Sequence, residues 1–276
     1  MNSKNSILLV DPEFDPNTAA DCDLLIKVGP DSFSYAIIDK SCNQVKAVYD
    51  QQECEDPGTV FAAKLKSDNY LNLSFKAVKV AVYTENLIAV PDELFDPAGL
   101  NQYAKYFPGE QSATLYVQPL AGYGFTSVFN LAEFIEDTLS ASLTSSKRYD
   151  HSAPLLALAK GNISRSLLLD FTAGSFNATY VNEGQLVFQR CFETENAEEL
   201  NYYLLLIINQ LKMATAQTAV HLSGIIHEGD GNYQCISKYF KDIHFSKSVS
   251  NEMDSRILDD MPAHYYSSLL ALDLCE

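Results

Sequence analysis

Near the start of the chain, apolar and polar positions mark out a three-strand meander. Residues 24–28 read as a buried strand, GPD as a turn, and 32–39 as a second strand rich in Phe, Tyr and Ile. KSCN gives a second turn, and 44–49 a third strand with period-two patterning. The spacing turns helical around 59–65, then returns to a β-branched run at 77–83 and a short strand at 86–90. Pro91 is expected to start a helix in PDELF, because proline suits the first helical position and Asp92 and Glu93 suit the positive helix end. A second helix is expected over 97–107, ahead of Pro108-Gly109, with strands at 113–119 and 124–129. In 131–143, Leu131, Phe134, Ile135 and Leu139 share one helical face, and Asn130 is placed to cap it. A polar stretch, SSKRYDH, leads into a strand end and a helix in HSAPLLALAKG.

The same pattern then recurs. Residues 166–170 read as a buried strand, FTAG as a turn, 175–181 as a strand, NEG as a hairpin turn and 185–192 as a third strand. A long helix follows from 197 to about 213, with Leu200, Tyr203, Leu204, Ile207, Ile208 and Leu211 on one face. Strands at 218–222 and 243–245, a helix at 231–240 and a terminal helix in HYYSSLLALDL complete the chain. The order βββ-α-β-α-β therefore occurs twice. LLIKVGPDSF and LLLDFTAGSF close on Ser-Phe pairs whose phenylalanines lie 176 − 33 = 143 residues apart, about half of the 276. A repeat of that size is a duplicated α/β domain, not a solenoid.

Charge excludes some partners. The net charge of −17 repels phosphate backbones and anionic lipid, and the densest basic pair is Lys147-Arg148, so no nucleic acid is expected. No apolar stretch approaches the roughly 18 residues of a membrane helix, so no membrane insertion is expected. The apolar run Ile7 to Val10 meets Asp11 at once, too short for a signal-peptide core. The six cysteines show no CxxC spacing, which fits reduced, mostly buried thiols and a cytoplasmic setting. His221 and His227 stand six apart across a strand-loop boundary, without HExxH or HxH spacing. Tyr103, Tyr106 and Phe107 crowd one helix end, and Tyr202-Tyr203 and Tyr265-Tyr266 each place one ring outward. Exposed tyrosines favour protein contacts.

LLIKVGPDSFSYAIID, IAVPDELF, LLLDFTAGSFNATYVNEGQLVFQR, VHLSGI and SSLLALDL run in this order along nearly the whole chain. Together they resemble the actin-like ATPase superfamily. Within it they are similar to an uncharacterised bacterial family, distantly similar to pilus-assembly actin-like proteins. The resemblance implies an α/β fold of two ribonuclease H-like domains. Each is a mixed five-stranded sheet that opens with three antiparallel strands and is flanked by helices. The implied domains are 1–157, with an N-terminal extension, and 158–276, their boundary somewhere in 149–165.

The superfamily places an acid at the end of the first strand of each half, followed by a glycine-rich turn. Mg²⁺ takes oxygen ligands and shares them with phosphates, and backbone N–H groups hold the phosphate oxygens. Here the first acid falls on Lys27, a charge reversal, and its turn keeps Gly29 but also holds Pro30, which has no N–H. The second acid falls on Asp170, and its turn offers Thr172, Gly174 and Ser175. The adenosine turn falls on Ser223 and Gly224, with one glycine where the superfamily has two. The resemblance thus implies a candidate, vestigial nucleotide site of Lys27, Gly29, Asp170, Thr172, Gly174, Ser175, Ser223 and Gly224. Lys27 is expected to reach solvent or an acidic neighbour; the alternative is a point charge that replaces the metal. The function implied is a non-catalytic cytoplasmic adaptor or scaffold with an unknown protein partner and no cofactor, a homodimer remaining open. The alternative is an ATPase or small-molecule kinase that binds ATP with Mg²⁺ in a divergent cleft. Filament formation ranks last, because a chain at −17 repels its copies.

Overall fold

The computed structural model describes residues 5–109, 112–120, 122–160, 164–246 and 253–276. The chain divides into two units, one of Met1–Ala153 with Glu252–Ile257 and one of Pro154–Asn251 with Leu258–Glu276.

In the first unit, β1 (Ser6–Val10) precedes the meander β2 (Cys22–Val28), β3 (Phe33–Asp39) and β4 (Gln44–Gln51). Helix α1 (Pro57–Ser67) and strand β5 (Ala77–Val82) follow. The helix starts where Pro57 supplies a preset φ and the Asp56 carboxylate accepts the Thr59 N–H at 3.1 Å. Next come β6 (Leu87–Pro91), the one-turn helix α2 (Leu100–Tyr103), β7 (Tyr116–Leu120), β8 (Phe125–Phe129), α3 (Glu133–Ser142) and β9 (Lys147–Asp150). The main sheet runs β1-β4-β3-β2-β5-β9, and β6-β8-β7 form a separate three-stranded sheet. The five expected strands are thus joined by a sixth, β1, which pairs antiparallel with β4 from Ser6↔Gln51 to Val10↔Ala47. Alternation sets the core: Cys22, Leu24, Ile26 and Val28 of β2 pack with Phe33, Tyr35 and Ile37 of β3 and Phe61 of α1. Leu25 and Lys27 therefore face the other side of the sheet.

Helix α4 (Ala153–Ala159) leads into the second unit. There β10 (Ser166–Phe171), β11 (Ser175–Asn182) and β12 (Gln185–Glu193) repeat the meander. Then follow α5 (Ala197–Gln210), β13 (Ala219–Gly224), α6 (Gly231–Ser237), β14 (Ile243–Phe245) and α7 (Ser267–Ala271). The sheet order is β12-β11-β10-β13-β14, with β10–β13 and β13–β14 parallel. The NEG hairpin turn places Glu183 and Gly184 at φ 52° and 76°, the left-handed pair that a tight hairpin needs. Leu200, Leu204 and Ile207 of α5 are buried against Leu167, Leu169 and Phe176, while Tyr203, Ile208 and Leu211 flank them.

Four local expectations fail. Pro91 ends the edge strand β6 opposite Phe125, and Asp92–Leu94 make a single 3-10 turn instead of a helix. Proline is tolerated on a sheet edge, and Pro97 holds Asp96 out of the helical region, so no helix can pass. Residues 97–107 break into Pro97–Gly99, α2 and Ala104–Tyr106, the first and last being 3-10 turns. Gly99 weakens the helix at its start, and no side chain caps α2. Asn130 does not cap α3; Ala132 occupies the cap, and the Asn130 amide donates to the Ser112 carbonyl at 3.2 Å. Leu131, Ile135 and Leu139 are buried at spacing four, whereas Phe134, one position off that stripe, is 53% exposed.

Candidate functional site

The two turns after the first strands close in the same way. In the first unit the Gly29 N–H donates to the Ser32 carbonyl at 2.8 Å, and the Cys54 N–H to Asp31 at 2.8 Å. In the second unit the Thr172 N–H donates to Ser175 at 2.9 Å, and the Thr194 N–H to Gly174 at 2.9 Å. A third pair matches: Tyr83 N–H to the Val28 carbonyl at 2.8 Å, and Ile225 N–H to the Phe171 carbonyl at 2.9 Å. Lys27 and Asp170 are thereby equivalent, each the penultimate residue of its strand. Gly29 stands where the second turn has Thr172, and Gly174 where the first has Asp31. The two turns thus carry their glycines at different positions.

Each of these residues heads a row across its sheet. Lys27 lies opposite Ser34 and Ala81, and Ser34 opposite Asp50. Asp170 lies opposite Asn177 and Ser223, and Asn177 opposite Cys191. Lys27 and Asp50 are half-buried. Burial pushes the Asp50 carboxyl up to about 6, against the Gln52 hydrogen bond and the Lys27 ammonium, which both pull it down; Asp31 adds to the rise. The charge reversal at Lys27 thus sits within electrostatic reach of an acid two strands away. Asp170 is buried and accepts a hydrogen bond from the Ser223 hydroxyl at 2.7 Å.

Hydroxyls in the second turn bond one another. The Thr172 and Ser175 hydroxyls lie 2.7 Å apart, and the Ser175 N–H donates to the Thr172 hydroxyl at 3.0 Å. Gly224 sits at φ +76°, where a Cβ would come 2.0 Å from the Phe171 carbonyl oxygen. Its N–H donates to the His264 carbonyl at 3.0 Å, and the His264 ring Nε2 lies 2.7 Å from the Ile226 carbonyl. Burial, with the His227 charge, lowers the pKa of His264 against that carbonyl contact.

Sequence reasoning missed Asp50, Ser34, Asn177 and His264. Two of them carried a signal: Ser34 and Asn177 are 143 residues apart (177 − 34 = 143), each seven beyond its strand-end residue, whereas Asp50 comes near Lys27 only through two strand pairings. His264 carried none, because only the folded chain brings it to the turn at Gly224.

Taken unit by unit, neither turn presents an open set of oxygen donors for Mg²⁺ and a phosphate. Mg²⁺ takes oxygen ligands, yet the first strand end presents an ammonium. Its turn includes Pro30, without an N–H, and the hydroxyls of the second turn are turned on each other. Among the described residues, no group of three or more His, Cys, Asp or Glu could hold a metal ion, and no helix is long and apolar enough to cross a membrane.

Comparison with solved structures places this architecture. A protein of unknown function with the actin-like ATPase fold from Bacteroides thetaiotaomicron VPI-5482 superposes with a TM-score of 0.72 at 16% identity, over 89% of this chain and 96% of that one. A chain from the PilM-PilN type IV pilus biogenesis complex superposes at 0.62 with 13% identity, over 92% and 98%. The ethanolamine utilization protein EutJ from Carboxydothermus hydrogenoformans gives 0.51 at 11% identity, over 97% and 93%. These identities establish the fold alone, and the fold is that of the actin-like ATPases. No curated protein matches the chain. One family model covers residues 11–243, and by that match the chain belongs to the family described as protein of unknown function DUF3822.

Proposed function

We propose that this protein is a non-catalytic, cytoplasmic adaptor or scaffold that keeps the actin-like frame and has lost its nucleotide chemistry. One observation carries the reading: Lys27 occupies, by register and by turn geometry, the position that Asp170 occupies in the other unit. A positive charge there replaces a metal-positioning carboxylate, whose loss costs several kcal/mol of transition-state stabilisation. The self-bonded Thr172–Ser175 turn adds support, since its hydroxyls serve the turn itself. The pilus protein PilM, of the same fold, is found in complex with PilN, which makes a protein partner a natural use for such a frame.

Calorimetric titration tests this with ATP and Mg²⁺, ADP and a non-hydrolysable analogue, on the native chain and on Asp170→Ala. No heat and no thermal shift at millimolar nucleotide is the expected result. Binding near micromolar, about −8 kcal/mol, abolished by Asp170→Ala would overturn the reading in favour of an ATPase or kinase.

A further inference from the structure

The two most exposed large apolar side chains among the described residues, Leu94 at 68% and Tyr106 at 75%, belong to one short segment of the first unit. The DELFD turn that carries Leu94 is held in place. Asp92 is tied to β8: its N–H donates to the Gly124 carbonyl at 3.0 Å, and its carboxylate accepts the Thr126 hydroxyl at 2.8 Å. At the other end the Asp96 N–H donates to the Tyr103 hydroxyl at 2.8 Å, and that hydroxyl reaches the Leu94 carbonyl at 3.4 Å. Phe95 stacks on Tyr103 at 5.9 Å, so the turn buries part of Phe95 and leaves Leu94 outside. Tyr106 follows Tyr103 by three residues, one helical turn on. An apolar side chain fixed in water by a pinned turn is unlike a mobile loop residue that could fold away. Asp92, Glu93 and Asp96 flank Leu94 along the chain, all exposed, and Lys105 is the single base between 92 and 106.

We propose that this acidic, apolar turn docks a basic, amphipathic segment of a partner protein. Leu94 and Tyr106 supply the anchors, and Asp92, Glu93 and Asp96 supply the complementary charge. The inference rests on the adaptor reading and specifies its partner's chemistry. A second copy of this chain is disfavoured as the occupant, because each copy carries −17, and an anionic bilayer meets the same repulsion.

The test uses three fluorescent peptides: one of alternating Lys and Leu pairs, one with Glu for Lys, and one with Ser for Leu. Anisotropy is read on the native chain, on Leu94→Ser with Tyr106→Ser, on Glu93→Lys, and on Tyr202→Ser. Tyr202 is 63% exposed on α5 of the other unit and serves as the control. All four changes sit on exposed side chains, and circular dichroism verifies the folds. The expected result is binding of the Lys-Leu peptide alone, weakened by salt and about tenfold or more by the double change and by Glu93→Lys, but unmoved by Tyr202→Ser. The proposal is overturned by no binding to the native chain, by equal binding of the Lys-Ser peptide, or by equal loss in Tyr202→Ser. Concentration-dependent dimerisation lost in the double variant would instead give the surface to a second copy, and sedimentation with anionic vesicles would give it to a membrane; either overturns it. Nucleotide calorimetry reads the adaptor premise separately, so a peptide failure with silent calorimetry rejects this surface and leaves the premise standing.

Discussion

Gly224 shows how much one residue can fix. Its φ is +76°, and a Cβ at this position would stand 2.0 Å from the Phe171 carbonyl oxygen, which leaves no room for a side chain. Gly224→Ala is expected to cost about 2–4 kcal/mol, read as a lower urea midpoint, because the clash is with backbone and the φ is strained as well. Asp50 gives a pH-dependent counterpart. Its folded value of about 6 lies above the ordinary 3.8, so the native state holds the proton more tightly than the unfolded chain. Its contribution to stability is present below about pH 4 and is lost as pH rises through 6. Asp50→Asn should flatten that fall and stabilise the protein by on the order of 2 kcal/mol at pH 8, measured by urea denaturation across pH; an unchanged slope would remove Asp50 from the account. The reversal at Lys27 was legible from the sequence because its neighbours repeat at a fixed offset. The acid that answers it was not, since Asp50 comes within reach only through two strand pairings.

At the scale of elements, both meanders could be read from short apolar or alternating runs set between turn residues, because their first two strands are buried along almost their whole length. The segment around 91–107 could not. Its prolines and glycine satisfy the rules for starting a helix, yet the edge pairing of Pro91 and the restriction before Pro97 win locally. Strand β1 escaped notice for a related reason: five apolar-rich residues without partners in view signal nothing until β4 pairs with them. The helix caps bring out a contrast that can be measured. The Asn196 side-chain carbonyl oxygen accepts the Glu198 and Glu199 N–H groups, each at 3.0 Å, at the start of α5. Asn196→Ala should cost about 1 kcal/mol. Ala132 takes the same place at α3 with extended backbone angles and no side-chain acceptor, and it is exposed. Ala132→Ser should therefore stabilise by about 0.5–1 kcal/mol, seen as a raised urea midpoint; a lowered one would mean that the hydroxyl finds no N–H there.

The whole molecule is threaded so that each unit is not one continuous piece. After the second unit's sheet is complete, Glu252–Ile257 return to the first unit before the chain ends in the second. The return is tied to the β3–β4 turn: the Val45 N–H donates to the Asp254 carbonyl and the Asp254 N–H to the Asn43 carbonyl, both at 2.9 Å. Arg256 pairs with Asp254 at 2.8 Å, though both side chains are exposed enough that the pair adds little. No sequence pattern announces this return, because a single bridge carries no periodicity. It makes a prediction for a chain cut after Ala153. Residues 1–153 alone retain the core around Phe33, Tyr35 and Phe61 but lose the partner of the Val45 amide. Hydrogen exchange at Val45 should then quicken about tenfold or more while the Tyr35 amide stays protected. Adding residues 154–276 as a separate piece should slow Val45 again, since that piece carries Asp254. Unchanged protection of Val45 in 1–153 would show that the hairpin holds itself. Protection lost at Tyr35 as well would show that the first unit needs the returning segment for its core, not only for its turn.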